Sequence, residues 1–331
     1  MGGPFHRTSA TPGSRRVGAD SVDHMTTTPD RTVLTFRTPE DVLAAVPVLL
    51  GFEPSDSVVM LTFGGRETFH ARIDLPPPTE VDVGIDLLLD PALAHGVTQV
   101  LLVVYTDRPR YGARLIDRFG TAFLEAGIRV ATTLRSDGRR WYRGGRGPGV
   151  RYDVSAHPFV VRAVLEGQVV TGSRDELAAR LRATAGVAAV EAALAEVPPY
   201  DALEVAACSW RALEAGRFDD TDLAGVLQGV VDLAVRDAAW AGVTREDAAA
   251  HVSLWSDAVQ RSPDRLVGGP AAILALSCWL AGNGALAWCA IDRCVEADPD
   301  NSLARLVGDL LTRAVPPSSW DRSWSGGHEP G

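Results

Sequence analysis

The sequence predicts an α/β domain with a mixed, partly parallel sheet, followed by an all-α domain of helical hairpins. Three observations carry this prediction. Short β-branched or alternating segments, about five in all, recur up to about residue 143. One amphipathic helix joins two of these segments, which is the pattern of a βαβ unit. Beyond about residue 155, apolar residues recur every three to four positions, as they do in helices.

Length and composition are those of a globular protein with two domains. The chain has 331 residues, of which 46% are hydrophobic, and a net charge of −10. It contains no lysine, so arginine supplies every basic side chain apart from histidine. The acidic balance argues against general nucleic-acid binding, which neutralises phosphates, and against docking on anionic membranes.

Composition divides the chain into four predicted segments. A disordered tail is expected over 1–35 and a flexible tail over 316–331, because both are rich in small and polar residues without periodicity. The α/β domain is expected over 36–154 and the helical domain over 155–315.

The beginning of the chain leaves two alternatives, Met1 or Met25, the second of which precedes three threonines. Residues 1–30 contain no apolar run of the kind a signal peptide needs. The longest apolar stretch, 271–281, is shorter than the roughly 20 residues of a membrane span. We therefore expect a cytoplasmic protein with no membrane partner.

The first elements are a helix and a β-hairpin. A helix is predicted over 39–50, because a threonine cap, a proline and two acidic residues open it and Gly51 closes it. A β-branched strand is predicted over 57–63. A pair of glycines at 64–65 then favours a tight turn into an alternating strand over 68–75.

The βαβ unit follows. A helix over 81–95 precedes an apolar strand over 97–105, which is predicted to be central. A helix over 109–126, with one apolar stripe, leads to a strand over 128–134. Because a helix connects the two strands, they should be parallel with a right-handed crossover.

The first half ends with a hairpin and a loop. Asp137 and Gly138 form a turn sequence that predicts a hairpin into a strand over 139–143. Residues 144–154 are rich in glycine and are predicted to be a loop.

The second half is predicted to be helical throughout. A capping box that begins at Ser173 opens one long alanine-rich helix, which Pro198 and Pro199 close. Further helices are predicted over about 201–215, 220–240, 245–260, 269–281, 284–297 and 301–314. The pair over 269–297 is similar to one tetratricopeptide unit, because Gly282, Ala287 and Pro299 take the turn, packing and terminating positions.

Four stretches resemble an uncharacterised bacterial family, catalogued as domain of unknown function number 4192. They are the runs at 49–59 and 71–76, the capping box at 173–177, and residues 282–305. The resemblance covers about residues 36 to 315 and implies no activity. Relatives carry several cysteines after the tryptophan that matches Trp141, whereas this chain has none there. A metal bound by those cysteines is therefore not implied for this protein.

The strand over 68–75 carries one set of candidate catalytic residues. His70, Arg72 and Asp74 alternate with apolar residues and so project from one face of the strand. With Ser57 on the neighbouring strand they suggest a Ser/His/Asp nucleophile cluster, with Arg72 as a ligand-binding residue. The alternatives are a solvated sheet face or a structural arginine–aspartate pair.

A second candidate lies where the central strand ends. Asp107 and Arg108 follow that strand and open a helix. Ligands of open α/β sheets bind at strand carboxyl ends, and helix N-termini favour anions. The alternative role for Asp107 is a helix cap. The chain has no glycine-rich phosphate fingerprint, so we predict no cofactor.

A third candidate is the stretch over 135–151, which is the basic patch of an acidic chain. Arg140, Trp141 and Arg143 combine guanidinium groups with an aromatic face, which suits phosphate or single-stranded nucleic acid. The alternative is an exposed loop whose arginines pair with carboxylates elsewhere.

Cysteine spacing suggests no metal site. The four cysteines fall in predicted helices, and none belongs to a C-x-x-C pair. We predict that they are buried as small apolar side chains.

These observations favour a non-catalytic binding or scaffold protein that takes a protein partner through its helical domain. The alternative is a hydrolase or a phosphate-ester-processing enzyme with its site on the α/β domain. A second alternative is phosphate or nucleic-acid binding through the arginine stretch, with nucleic acid disfavoured by the net charge.

Overall fold

The computed structural model of the protein describes residues 36–66 and 68–320. The predicted tail over 1–35, the choice between Met1 and Met25, and residues 321–331 of the predicted C-terminal tail lie outside the described residues.

The described strands form one mixed sheet, as predicted from the sequence. Its spatial order is β2-β1-β3-β4-β5-β6. The strands are β1 (Ser57–Phe63), β2 (His70–Asp74), β3 (Gln99–Tyr105), β4 (Arg129–Ser136), β5 (Arg140–Arg143) and β6 (Val150–Arg151). The sixth strand, β6, was predicted as loop, and its two residues pair with Arg140 and Trp141.

Thirteen α-helices and one short 3₁₀ helix surround and extend this sheet in the described part of the chain. The first half contains α1 (Pro39–Leu50), α2 (Val81–Ala94) and α3 (Pro109–Glu125). The second half contains α4 (Pro158–Leu165), α5 (Arg174–Ala179), α6 (Val187–Leu194), α7 (Ala202–Ala215), α8 (Asp220–Gly229), α9 (Leu233–Ala241), α10 (Ala248–Arg261), the 3₁₀ helix Asp264–Leu266, α11 (Gly268–Leu280), α12 (Gly284–Ala297) and α13 (Ser302–Thr312).

The parallel pair that the sequence predicts is present at the centre of the sheet. β3 pairs in parallel with β4, and Tyr105 lies opposite Ser136 at the carboxyl end. β1 runs antiparallel to β3, and β5 runs antiparallel to β4. The carboxyl ends of β3 and β4 therefore meet at one edge of the sheet.

Both faces of the sheet are buried. Val58 and Met60 of β1 join an apolar cluster with α2 and α3. Val59 and Leu61, which point the other way, join a cluster that includes α1 and most of the second-half helices. Because helices cover both faces, a ligand can reach the sheet only at its edges, such as the one formed by the carboxyl ends of β3 and β4.

The helical half is organised around α11. Twelve of its 13 residues are buried, and the glycine that follows at Gly282 adopts a positive φ of 75°. Asn283 then caps α12 through its side chain, so α11 and α12 form the predicted hairpin. An all-round apolar helix is typical of a domain centre.

Two predicted helices are interrupted. The long helix after Ser173 is divided into α5 and α6, and between them the Thr184 N–H donates to the Gln260 carbonyl instead of continuing the helix. The predicted 220–240 helix is divided into α8 and α9, and the Asp232 carboxylate caps the second. Both breaks depend on local caps and tertiary contacts that periodicity does not report.

Asp41 ties the start of α1 to the start of α4. Its carboxylate accepts the N–H groups of Arg37 and Thr38. His157 accepts the N–H of Phe159 at Nδ1, so its Nε2–H donates to Asp41 over 3.0 Å. Partial burial acts to raise the pKa of Asp41, but these hydrogen bonds outweigh it and hold the pKa below its ordinary value.

Replacing Asp41 with Asn should lower the free energy of unfolding by about 1 kcal/mol near pH 7, because the capping carboxylate is lost. Since the folded-state pKa is depressed, this contribution is full above about pH 4 and disappears as the pH falls through the folded pKa. Urea denaturation across this range measures it. Asp86→Asn, at an exposed position of α2, is the control. An Asp41→Asn effect that persists at low pH would contradict the assignment.

Candidate functional site

A cleft opens at the sheet edge where the parallel strands β3 and β4 end. Its volume is about 880 Å³. Its walls come from the start of α3, the β4–β5 turn and the loop after β5. The lining residues are Asp107, Pro109, Arg110, Ala113, Arg114, Arg135, Asp137, Tyr142, Gly145, Arg146 and Gly147. Ligand sites of open α/β sheets form at this kind of position.

The helix N-terminus at the cleft is uncapped by side chains. Arg108 takes the cap position of α3, no side chain accepts from the first turn, and that turn contains no acidic residue. Asp107, a ligand-binding candidate whose alternative role was a helix cap, makes no capping hydrogen bond and lines the cleft. The partial positive charge of the helix start is therefore available to an anion in the cleft.

Arg135 is the buried basic group of the cleft. Its side chain is 3% exposed, and Nη1 donates to the Thr106 carbonyl over 2.9 Å. The guanidinium carbon lies 3.7 Å from the centre of the Tyr142 ring, which is a cation–π contact. Nε has no hydrogen-bond partner, and no carboxylate of the described residues forms an ion pair with this arginine.

Two glycines make room for this arrangement. A Cβ on Gly112 of α3 would lie 2.6 Å from Cδ of Arg135, so only glycine lets the arginine stem lie against the helix. A Cβ on Gly145 would lie 3.0 Å from Cα of Ala113, and its φ is +73°. The loop after β5 can therefore approach α3 closely and narrow the cleft.

Asp137 fixes the aromatic wall. Its carboxylate accepts the Tyr142 hydroxyl over 2.8 Å and the backbone N–H groups of Arg139 and Arg140. Partial burial acts to raise the pKa of Asp137, but these hydrogen bonds and the charge of Arg135 hold the pKa below its ordinary value. The Asp137 carboxylate is thus already hydrogen-bonded to the residues that form this side of the cleft.

Three further arginines line the cleft from more exposed positions. Arg110 and Arg114 lie one turn apart on α3, and Arg114 also contacts the Tyr111 ring. Arg146 pairs with Asp117 through Nη1 and Nη2. This pairing raises the pKa of Arg146 and lowers the pKa of Asp117.

Charge within the cleft is therefore predominantly positive. Four guanidinium groups line it, against the carboxylates of Asp107 and Asp137. Asp107 itself has no hydrogen bond or ion pair with any part of the chain that the structure describes.

Of the arginine-stretch candidates, none lines the cleft directly. Trp141 donates from Nε1 to Glu40 over 2.8 Å, on the sheet face opposite Tyr142. Arg143 shares the Trp141 face by strand alternation. Arg140 shares the Tyr142 face, and its Nη1 donates to the Gly149 carbonyl over 2.6 Å.

Arg108, the other candidate at the end of β3, is directed away from the cleft lining. Its guanidinium forms an ion pair with Asp56 over 3.2 Å and lies over the Tyr111 ring. Its backbone N–H donates to the Thr106 hydroxyl.

The predicted Ser/His/Asp cluster does not assemble. Ser57 lies opposite Asp74, whereas His70 lies opposite Leu61, four residues further along β1. That separation is about 13 Å at the rise of a strand, which is too long for a nucleophile–base hydrogen bond.

Two candidates on β2 instead show the alternative that the sequence left open, a structural arginine–aspartate pair. Arg72 forms an ion pair with Asp74 over 2.7 Å and lies over the Phe52 ring. Ser57 is fully buried, and its hydroxyl has no hydrogen-bond partner. The face carrying these residues is turned toward the helical half, because Val59 and Leu61 share it.

The cleft residues that the sequence analysis did not single out lie in two separate segments of the chain. Arg110 and Arg114 are four residues apart at the start of a helix whose first turn has no acidic residue. Arg135, Tyr142 and Arg146 belong to the basic stretch. The predicted parallel pair places the ends of both strands at one edge, which joins the two segments.

No metal site is visible in the residues that the structure describes, since no three histidine, cysteine or acidic side chains are grouped to hold an ion. All four cysteines are buried thiols. No helix between residues 36 and 320, leaving out Glu67, is long and apolar enough to cross a membrane.

Comparison with known proteins gives a family but no characterised relative. A family model described as "Domain of unknown function (DUF4192)" matches residues 39–318. No curated protein and no solved structure matches the chain.

Replacing Tyr142 with Phe should raise the pKa of Asp137, because the hydroxyl that stabilises the ionised carboxylate is removed. Carbon-detected NMR titration of the Asp137 carboxyl measures this change. Tyr152→Phe is the matched control, since its hydroxyl bonds to Ser136 instead. An unchanged Asp137 pKa in Tyr142→Phe would show that the hydrogen bond does not hold the wall in solution.

Proposed function

We propose, for a chain that belongs to the DUF4192 family of unknown function, that it is a non-catalytic binding protein for a phosphate-bearing small molecule. The ligand binds in the cleft at the ends of β3 and β4.

The buried guanidinium of Arg135 carries the proposal. Burying a charge is costly unless an opposite charge or hydrogen bonds compensate. Here one carbonyl, one ring and the nearby charge of Asp137 compensate in part, without a direct ion pair, and Nε keeps an unused donor. A bound anion would supply further negative charge, and the planar guanidinium matches phosphate geometry.

The surroundings of Arg135 support the same ligand class. Arg110 and Arg114 add positive charge from α3, whose uncapped N-terminus favours anions. The cleft volume of about 880 Å³ is within the range of small-molecule sites. Tyr142 offers an aromatic edge beside the charged groups.

Two features favour binding over catalysis. The residues lining the cleft include no serine, threonine, cysteine or histidine. The Asp137 carboxylate is already occupied by three donors.

Asp107 favours a second candidate, a phosphate-ester-processing enzyme. Its exposed carboxylate follows β3 beside the cleft arginines and is the remaining group that could act as base or nucleophile. The protein partner of the helical domain and the cytoplasmic location stay predictions.

Orthophosphate should bind wild-type protein in isothermal titration calorimetry and raise its melting temperature. Arg135→Gln should weaken binding about tenfold or more, since a charge-assisted hydrogen bond is lost. Arg118→Gln, which removes the same charge from α3 outside the cleft lining, is the control. No phosphate binding by the wild type, or equal loss in both variants, would contradict the proposal.

A second variant separates binding from folding, because Arg135 is buried. The double change Arg110→Gln and Arg114→Gln alters only exposed side chains and should also weaken phosphate binding. The same preparations should release no phosphate from p-nitrophenyl phosphate. Turnover that disappears in Asp107→Asn would favour the enzyme candidate over the binding protein.

A further inference from the structure

Two arginines lie directly opposite each other at the outer edge of the sheet. Arg140 of β5 is the register partner of Arg151 of β6. Directly opposed side chains in an antiparallel pair have Cβ atoms about 5 Å apart, and like charges there are destabilising. Both side chains are exposed.

No acidic side chain relieves this repulsion within the described residues. Neither arginine forms an ion pair with a carboxylate there, unlike arginines such as Arg118 and Arg146. The Arg140 side chain donates one hydrogen bond, to the Gly149 carbonyl. The register thus places two arginine side chains next to each other on the sheet, and guanidinium groups suit phosphate.

This arginine pair lies next to the cleft. Arg140 is two residues from Tyr142, so both project from the same face of β5, and Arg151 shares that face as the partner of Arg140. Gly149, which accepts from Arg140, lies against the Tyr142 ring, because a Cβ there would come within 2.4 Å of it. Tyr142 therefore stands between the pair and Arg135.

We infer that the ligand is an oligophosphate small molecule, with one phosphate group at Arg135 and a second at the Arg140–Arg151 pair. This inference rests on the proposed function and specifies its ligand class. A single phosphate group at Arg135 would leave the positive charges of Arg140 and Arg151 uncompensated. The net charge of −10 disfavours a long nucleic-acid strand, whose remaining phosphates would meet an acidic surface.

Titration calorimetry with orthophosphate, tripolyphosphate and a single-stranded oligonucleotide, at one ionic strength, tests the inference. Wild-type protein should bind tripolyphosphate about tenfold or more tightly than orthophosphate. The double change Arg140→Gln and Arg151→Gln should lower the tripolyphosphate affinity to about that of orthophosphate. The matched control is Arg143→Gln with Arg182→Gln, two exposed arginines on the opposite sheet face and in the helical half.

The outcomes distinguish the two claims. Orthophosphate binding that needs Arg135 but shows no tripolyphosphate preference overturns the inference and leaves the proposed function standing. A preference lost equally in the control variant overturns it as a general charge effect. Tighter binding of the oligonucleotide than of tripolyphosphate overturns it in favour of nucleic acid. Absence of binding to every probe overturns both claims.

Discussion

The candidate site depends on how the protein holds a buried positive charge without a direct ion pair in the part of the chain that the structure describes. Arg135 leaves β4 at the sheet edge, and the Thr106 carbonyl at the end of β3 accepts its hydrogen bond. The Tyr142 ring covers its flat surface, and Gly112 makes room for its stem. Parallel pairing of β3 and β4 brings Arg135 and Thr106 together. The position of the buried guanidinium therefore depends on the order of the central strands.

The rest of the architecture restricts where a ligand can reach the sheet. Helices α2 and α3 cover one face, and α1 with the second-half helices covers the other. The Ser57 hydroxyl and most of the Arg72 side chain are thereby enclosed against the helical half, whereas the Asp74 carboxylate that pairs with Arg72 is exposed. What remains open is the carboxyl edge, where loops rather than packed side chains form the walls. Loops at such an edge can vary without disturbing the sheet.

Much of the fold could be predicted from the sequence, because periodicity and caps are local signals. Alternation and β-branched runs identified the strands, and the helix between β3 and β4 fixed their parallel pairing. The site was harder, because it depends on strand phase and register. The basic stretch was evident, but whether Trp141 or Tyr142 faces α3 depends on alternation from a paired position. The distance between Ser57 and His70 likewise depends on the register of β1 and β2.

The central claim is that the guanidinium of Arg135 binds an anion in the cleft. Proton–nitrogen NMR spectra of arginine Nε–H groups during an orthophosphate titration test it most directly, since burial slows exchange of this proton. The account predicts a saturable shift of the Arg135 Nε–H resonance, while the Arg118 resonance, from the same helix as Arg110, stays in place. An unmoved Arg135 resonance in a spectrum where exposed arginines shift with phosphate would contradict the account.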